Sequence, residues 1–72
     1  MKNDLIEINP NKVSGTPVFA GTRVPIKNLF DYLEGGESLE DFLEGFPPVT
    51  REQAVAVLEM AEKSLYKEVA AV

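Results

Sequence analysis

The stretch GTPVFAGTRVPI, residues 15–26, decides how this chain folds, because glycines and prolines alternate in it with strand-forming residues. Gly15 and Gly21 provide positions at which the backbone can turn or adopt a positive φ. The valine and phenylalanine between them favour a short strand. Pro25 comes where the first helical residue is expected, a position that proline tolerates well. The stretch therefore predicts a strand, a tight turn and the start of a helix.

The sequence on either side of this stretch predicts one more strand and a first helix. Residues 4–8 alternate weakly between polar and apolar side chains and end at an Asn-Pro turn signal, which predicts a short strand. Apolar residues at i, i+3, i+4 and i+7 predict a helix over about residues 25–34. The glycine pair at 35–36 then ends this helix.

Two capping patterns predict a second and a third helix. Ser38 with Asp41, and Thr50 with Gln53, have the spacing of capping boxes. The proline pair at 47–48 separates the two helices, and the third is predicted to end at about residue 67. The apolar side chains predicted to face the core are Ile26, Leu29, Phe30, Leu33, Leu39, Phe42, Leu43, Phe46, Ala54, Val57, Leu58, Ala61 and Leu65.

The predicted fold class is mainly α: a three-helix, homeodomain-like helix-turn-helix unit with a short N-terminal β segment of two strands. We expect one domain over residues 1–72, because the chain is too short for two. Within it, residues 1–24 form the β segment and turn, 25–67 the trihelical unit and 68–72 a frayed tail. An ordinary three-helix bundle, in which the two prolines force a steep crossing of the last two helices, remains an alternative to a helix-turn-helix.

Composition argues against several classes of function. The chain has neither histidine nor cysteine, so it lacks the usual general base and the commonest zinc ligands. The acidic residues around the first interhelical turn match no metal-binding loop and indicate a solvated helix face. We therefore expect no enzyme, catalytic residue, metal or cofactor. No apolar run is long enough for a signal peptide or a membrane span, and we expect a cytoplasmic protein without a membrane partner.

Charge is unevenly distributed along the chain. Residues 1–27 carry four cationic and two acidic side chains, whereas residues 28–72 carry three cationic and ten acidic ones, and the net charge is −5. An acidic surface suits a basic protein partner better than DNA, or serves only solubility. The apolar residues predicted to dock a protein partner are Leu65, Tyr66, Val69 and Val72. A homodimer is also expected, because two short strands and one small core need further support.

A weaker DNA-binding pattern lies at the start of the first and third helices. The residues that would contact DNA are Arg23, Lys27, Thr50, Arg51 and Gln53. Thr50 and Gln53 can instead be occupied in capping the third helix. Arg23 follows a turn glycine, and its guanidinium suits either a structural clamp on carboxylates and carbonyls or a phosphate contact.

The segment Gly15-x-Pro17-Val18-x-x-Gly21-Thr22-Arg23-Val24-Pro25 resembles the G-x-P-V-x-x-G-T-R-[IV]-P signature of a small prokaryotic family, domain of unknown function 433 (DUF433). The structural signature residues are Gly15, Pro17, Gly21, Thr22, Arg23 and Pro25. The resemblance continues in register through the helices and covers about residues 5–62. It implies a homeodomain-like helix-turn-helix fold that is often dimeric.

The same resemblance implies a function. Many members look like antitoxins of type II toxin–antitoxin pairs, encoded beside a PIN-like nuclease toxin. The chain would then bind and silence this toxin, with the possibility that it also represses its own operon. The alternative is a homodimeric helix-turn-helix transcriptional regulator that has no toxin partner.

Overall fold

The computed structural model describes residues 5–11 and 13–70. Its elements in chain order are strand β1 (Ile6–Glu7), a 3₁₀ turn (Val13–Gly15), strand β2 (Val18–Phe19), and helices α1 (Ile26–Glu34), α2 (Leu39–Gly45) and α3 (Arg51–Ala70). This arrangement confirms the predicted fold class, a mainly helical unit of three helices with an N-terminal β segment of two strands.

The two strands form a small antiparallel sheet within the chain. Ile6 pairs with Phe19, and Glu7 pairs with Val18. β1 is shorter than the predicted strand over residues 4–8, the first residue of which lies outside the described part. A two-stranded ribbon is barely stable by itself. Here both residues of β2 are fully buried, so the sheet is held by the core beneath it.

The glycines of the 15–26 stretch adopt the conformations that the sequence predicts. Gly15 has a φ of 79° and Gly21 a φ of 76°, both in the left-handed region that favours glycine. Each lies at one end of β2, where the chain must change direction. The strand is therefore bounded by two backbone turns that a residue with a Cβ makes only with strain.

The predicted helix starts are confirmed at α2 and α3 and shifted by one residue at α1. Ser38 and Asp41 form a reciprocal capping box, with hydrogen bonds of 3.0 and 3.2 Å. Pro25 is the N-cap of α1 and not its first helical residue, because its ψ of 139° is extended. This extended backbone lets Pro25 form a β-bridge with Val18 before the helix begins.

Helix α3 is longer than the sequence suggests. It ends at Ala70, not at about residue 67, so residues 68–70 are helical and do not fray as predicted. No glycine or proline follows Lys67, and a cation in the last turn interacts favourably with the helix dipole. Residues 71–72 of the predicted tail lie outside the described residues.

The core lies between the sheet and the three helices, of which α3 contributes only its first half. Its buried hydrophobic residues are Val18, Phe19, Val24, Leu29, Phe42, Val49, Ala54 and Val57. Phe42 is at the centre, with its ring centroid 5.0 to 5.9 Å from those of Phe19, Tyr32 and Phe46. Leu65 was expected on this inner face, but it is 65% exposed. α1 and α2 have only nine and seven residues against twenty in α3, so they do not reach it.

Candidate interaction surfaces

The turn after β2 is held by Thr22. Within the described part of the chain, Thr22 is the polar residue that is buried. Its hydroxyl donates to the Phe19 carbonyl at 2.8 Å and accepts from the Val24 amide at 3.0 Å. The Thr22 amide also donates to the Phe19 carbonyl, and the Phe19 amide donates to the Val24 carbonyl. Thr22 therefore satisfies the Phe19 carbonyl and the Val24 amide of this turn.

The structure shows no structural clamp by Arg23 within the described residues. Arg23 is exposed, and its guanidinium makes no hydrogen bond or ion pair with any residue in the ranges 5–11 and 13–70. The hydroxyl and the amide of the neighbouring Thr22 both donate to the Phe19 carbonyl of this turn. Sequence reasoning missed this role of Thr22, although the fixed threonine of the signature was a signal for it.

Gln53 joins the start of α3 to the same turn. Its side-chain oxygen accepts from the Thr50 amide at 3.0 Å, while its side-chain nitrogen donates to the Ala20 carbonyl at 3.0 Å. The Thr50 hydroxyl in turn accepts from the Gln53 amide at 3.1 Å. Both residues are thus engaged in capping α3 and in fixing the turn against it, as the capping alternative predicted.

The other residues predicted to contact DNA have acidic neighbours. The Lys27 amino group pairs with the Asp31 carboxylate at 2.8 Å, one helical turn away. Arg51 forms an ion pair with Glu40, which joins α3 to α2. Among the five predicted DNA contacts, Arg23 is therefore the exposed cation that lacks a partner within the described residues. The structure gathers no cluster of uncompensated positive charge at these positions.

The electrostatics of Lys27 follow from this pairing. The hydrogen bond that the Lys27 ammonium donates to the Asp31 carboxylate, together with the charge of that carboxylate, holds the pKa of Lys27 above its ordinary value of 10.5. The pair is exposed, with 77% and 49% of the lysine and aspartate side chains accessible. An exposed pair of this kind stabilises a helix only slightly.

The second half of α3 presents an exposed helical surface, which we call the α3 arm and define as residues 62–69. Every side chain in the arm is exposed. Leu65, Tyr66 and Val69 are the large apolar residues of the arm, and they are 65, 66 and 70% exposed. These are three of the four predicted partner-binding residues; the fourth, Val72, lies outside the described residues.

The apolar stripe of α3 continues from the core into this arm. At 3.6 residues per turn, Leu65 and Val69 lie on the same side of α3 as Ala54 and Leu58. Ala54 is buried and Leu58 half-buried, whereas the two arm residues are exposed. The apolar face of α3 therefore extends beyond the part of the helix that the rest of the described chain covers.

A second apolar surface is a groove of about 450 Å³ between the sheet and α1, which we call the α1 groove. Its apolar lining consists of Ile6, Pro17, Ile26 and Phe30, and its polar lining of Thr16, Lys27, Asp31 and Glu34. The apolar lining residues of α1 are half-buried and pack on the edge of the core. Sequence reasoning assigned both to the core and thus missed the groove.

The arrangement of the acidic side chains and the hydropathy of the helices bear on metal binding and on membrane insertion. In residues 5–11 and 13–70, no three acidic side chains come together in a way that could hold a metal ion. The same part of the chain contains no helix that is both long enough and apolar enough to cross a membrane.

The fold and these surfaces define a class: a small, mainly helical protein with a two-stranded antiparallel sheet and exposed apolar surfaces. Residues 6–61 match the sequence profile of the family described as "Protein of unknown function (DUF433)". The chain therefore belongs to the DUF433 family, as its signature indicated.

The chain is also similar to two known proteins, one of which is described as a DUF433 member. The chain is similar to a crystal structure of a DUF433 member protein from Anabaena variabilis ATCC 29413, with a TM-score of 0.70, 26% identity, and coverage of 93% of this chain and 69% of that one. It is 34% identical over 50 residues to "Uncharacterized protein y4eO" from Sinorhizobium fredii (strain NBRC 101917 / NGR234). This match covers 69% of the chain but only 23% of the length of that relative.

Proposed function

We propose that the chain is a cytoplasmic, non-enzymatic antitoxin that binds and neutralises a PIN-like nuclease toxin through the α3 arm. The observation that carries this proposal is the arm itself. Its apolar stripe continues directly from the core yet is exposed in the folded chain. A large exposed apolar patch of this kind is typical of a protein–protein contact.

Charge supports a nuclease as the partner. A nuclease that binds the phosphate backbone needs a basic surface. The segment from residue 28 to 72 carries ten acidic and three cationic side chains, so it complements such a surface. On the arm, Glu62 and Glu68 lie on either side of the Leu65–Val69 stripe, as the spacing along the helix dictates. An apolar strip between carboxylates suits an apolar partner groove with a basic rim.

The arrangement of cations favours this proposal over the alternative of a transcriptional regulator. A helix-turn-helix reader presents free side chains from the start of its second helix to the bases. Here Thr50 and Gln53 are engaged with each other and with Ala20, and Arg51 is paired with Glu40. These three side chains are therefore not free to contact DNA. If the chain represses its own operon, the toxin must supply the positive charge that contacts the DNA.

The test is co-expression with the PIN-like nuclease encoded beside the gene. We expect the wild-type chain to co-purify with the nuclease and to relieve its toxicity. The double variant Leu65→Asp/Val69→Asp should lose both properties, because it places charge in the apolar stripe. Met60→Asp is the matched control, since Met60 is 38% exposed on the opposite side of the same helix.

Any of four outcomes would contradict the proposal. The neighbouring gene product is not toxic, or it does not co-purify with the chain. The double variant neutralises the toxin fully, although circular dichroism shows that the wild type and both variants are folded. The chain alone shifts its upstream DNA in a gel and this shift weakens steeply across a salt series, since this is the behaviour of a DNA-binding regulator.

A further inference from the structure

We propose that the α1 groove docks an extended apolar segment of a partner protein, one that carries a lysine or arginine beside its apolar side chains. This site is separate from the α3 arm, and the proposal does not depend on the nuclease. It follows from the order in which apolar and charged side chains line the groove along α1.

The apolar part of the groove lies at the start of α1. Ile26 and Phe30 are one helical turn apart and both line the groove, together with Ile6 and Pro17 from the β segment. Ile26 and Phe30 are only half-buried in the folded chain, and Pro17 is exposed. An apolar side chain placed against these residues would remove their remaining surface from water, which favours binding.

The charged side chains of the groove leave one carboxylate uncompensated. Lys27 is paired with Asp31 at 2.8 Å, so these two charges offset each other. Glu34, the third charged lining residue, is exposed and forms no ion pair with any residue in the ranges 5–11 and 13–70. The groove therefore has an excess of negative charge, and this excess lies at Glu34.

The position of Glu34 in the helix favours a cation further. Glu34 is the last residue of α1, and the last turn of this helix contains no basic residue. The carbonyl groups at this end carry the negative pole of the helix dipole, so a carboxylate is unfavourable here and a cation is favourable. A lysine or arginine from a partner would offset both the carboxylate and the dipole.

The spacing along α1 indicates the conformation of the docked segment. Ile26, Phe30 and Glu34 follow one another at intervals of four residues, so they are about 6 Å apart along the helix axis. Alternate residues of an extended chain lie on one face at intervals of about 6.6 Å. An extended segment with two apolar side chains and a cation at alternate positions therefore matches these three residues in order.

The openness and the charge of the groove disfavour other occupants. The side chains of Lys27 and Asp31 are 77 and 49% exposed, so the groove is open where they line it, whereas sites for small molecules enclose most of the ligand. A second copy of the chain would bring its own acidic helices, because residues 28–72 carry ten acidic and three cationic side chains. Like charges would then meet at Glu34.

Titration of the full chain with synthetic peptides tests the proposal. The probes are two capped peptides in which two leucines and one lysine occupy alternate positions, with serine between them. The lysine is last in one peptide and first in the other, to cover both chain directions. At least one should bind and shift the NMR signals of residues 26–34, while those of the α3 arm stay unchanged. The same peptide with glutamate in place of lysine should bind about fivefold more weakly or less.

Two variants of the groove should change the affinity for the lysine peptide in opposite directions. Glu34→Gln should weaken binding about two- to fivefold, as expected for the loss of an exposed ion pair. Lys27→Gln should strengthen binding, because it leaves the Asp31 carboxylate without its partner. Glu37→Gln is the matched control and should bind like the wild type, since Glu37 is an exposed carboxylate that does not line the groove.

Several results would overturn the proposal. One is that neither lysine peptide binds. Another is equal weakening by Glu34→Gln and Glu37→Gln, which would trace the attraction to the overall charge of the chain, or equal binding of the glutamate peptide. Hexylammonium that binds as tightly as the peptide would identify a small-molecule site instead. A preformed dimer that the peptide dissociates would identify the groove as an interface between copies of the chain.

Discussion

The two halves of α3 differ sharply in what surrounds them. In the first half, Ala54 and Val57 are buried against the sheet and the other helices, and Gln53 is hydrogen-bonded to the turn after β2. In the second half, every side chain of the α3 arm is exposed. The same helix is therefore a core element at its start and a free surface at its end.

This difference indicates which part of the chain stabilises the fold and which part is available for binding. Isolated helical segments of this length are marginal in water, so the arm depends on the packed half from which it propagates. Segments with few buried contacts open most easily and commonly serve binding. Residues 18–58 thus supply the fold, while the arm is available for a partner.

The strongest test of this contrast compares Phe42→Ala with Leu65→Ala. Phe42 is fully buried among three aromatic rings, so its truncation should lower the free energy of unfolding by about 3–5 kcal/mol. Leu65 is 65% exposed, and its truncation should change stability by less than about 0.5 kcal/mol. Urea denaturation at one fixed protein concentration measures both.

Phe42→Leu serves as a milder control, because a loss of about 3–5 kcal/mol is a large part of the stability of a domain this small. Equal unfolding midpoints for the Phe42→Ala and Leu65→Ala variants would contradict the division of α3 into a packed and a free half.

Most of the fold could be predicted because its signals are local. The capping boxes at Ser38 and Thr50, the turn at Gly21 and the strand at residues 18–19 depend on neighbouring residues alone. The end of α3 was harder to place, since no breaker follows Lys67 and the helix simply continues to Ala70.

The surfaces were predictable only in part because they depend on which residues cover one another. Periodicity assigns Leu65 to the core, which is wrong because Leu65 is 65% exposed: the pattern does not reveal how far α1 and α2 extend. For the same reason the periodicity of α1 assigns Phe30 to the core, although Phe30 also lines the α1 groove. The contact of Gln53 with the Ala20 carbonyl was missed, since it spans 33 residues of sequence. The hydrogen bonds of Thr22 reach only two and three residues, and sequence reasoning overlooked them.

A second prediction sharpens the comparison within the packed half. Thr22→Val keeps the shape of the side chain but removes the acceptor of the buried Val24 amide. An unsatisfied buried amide costs about 1–3 kcal/mol, so the variant should unfold at lower urea than the wild type. Thr22→Ser is the matched control, because it keeps the hydroxyl and should retain most of the stability.

Hydrogen exchange gives this prediction a local readout. The Val24 amide should exchange faster in the valine variant, while amides of the α3 arm should be unchanged. Equal stability of the valine and serine variants would show that the hydroxyl is not what holds the turn.

The smallest expected effect concerns Lys27 on the exposed face of α1. Asp31 raises the pKa of Lys27 in the folded chain, so the pair stabilises the fold fully below pH 10.5, and this contribution is lost as pH rises through the raised pKa. Asp31→Asn removes the pair. The melting temperature of the wild type should slightly exceed that of the variant at pH 8, and the gap should close at strongly alkaline pH.

Added salt should shrink the gap at pH 8, because the pair is exposed and therefore screened. Wild type and variant are compared at one protein concentration, and a gap that widens with rising pH would reverse the assigned sign.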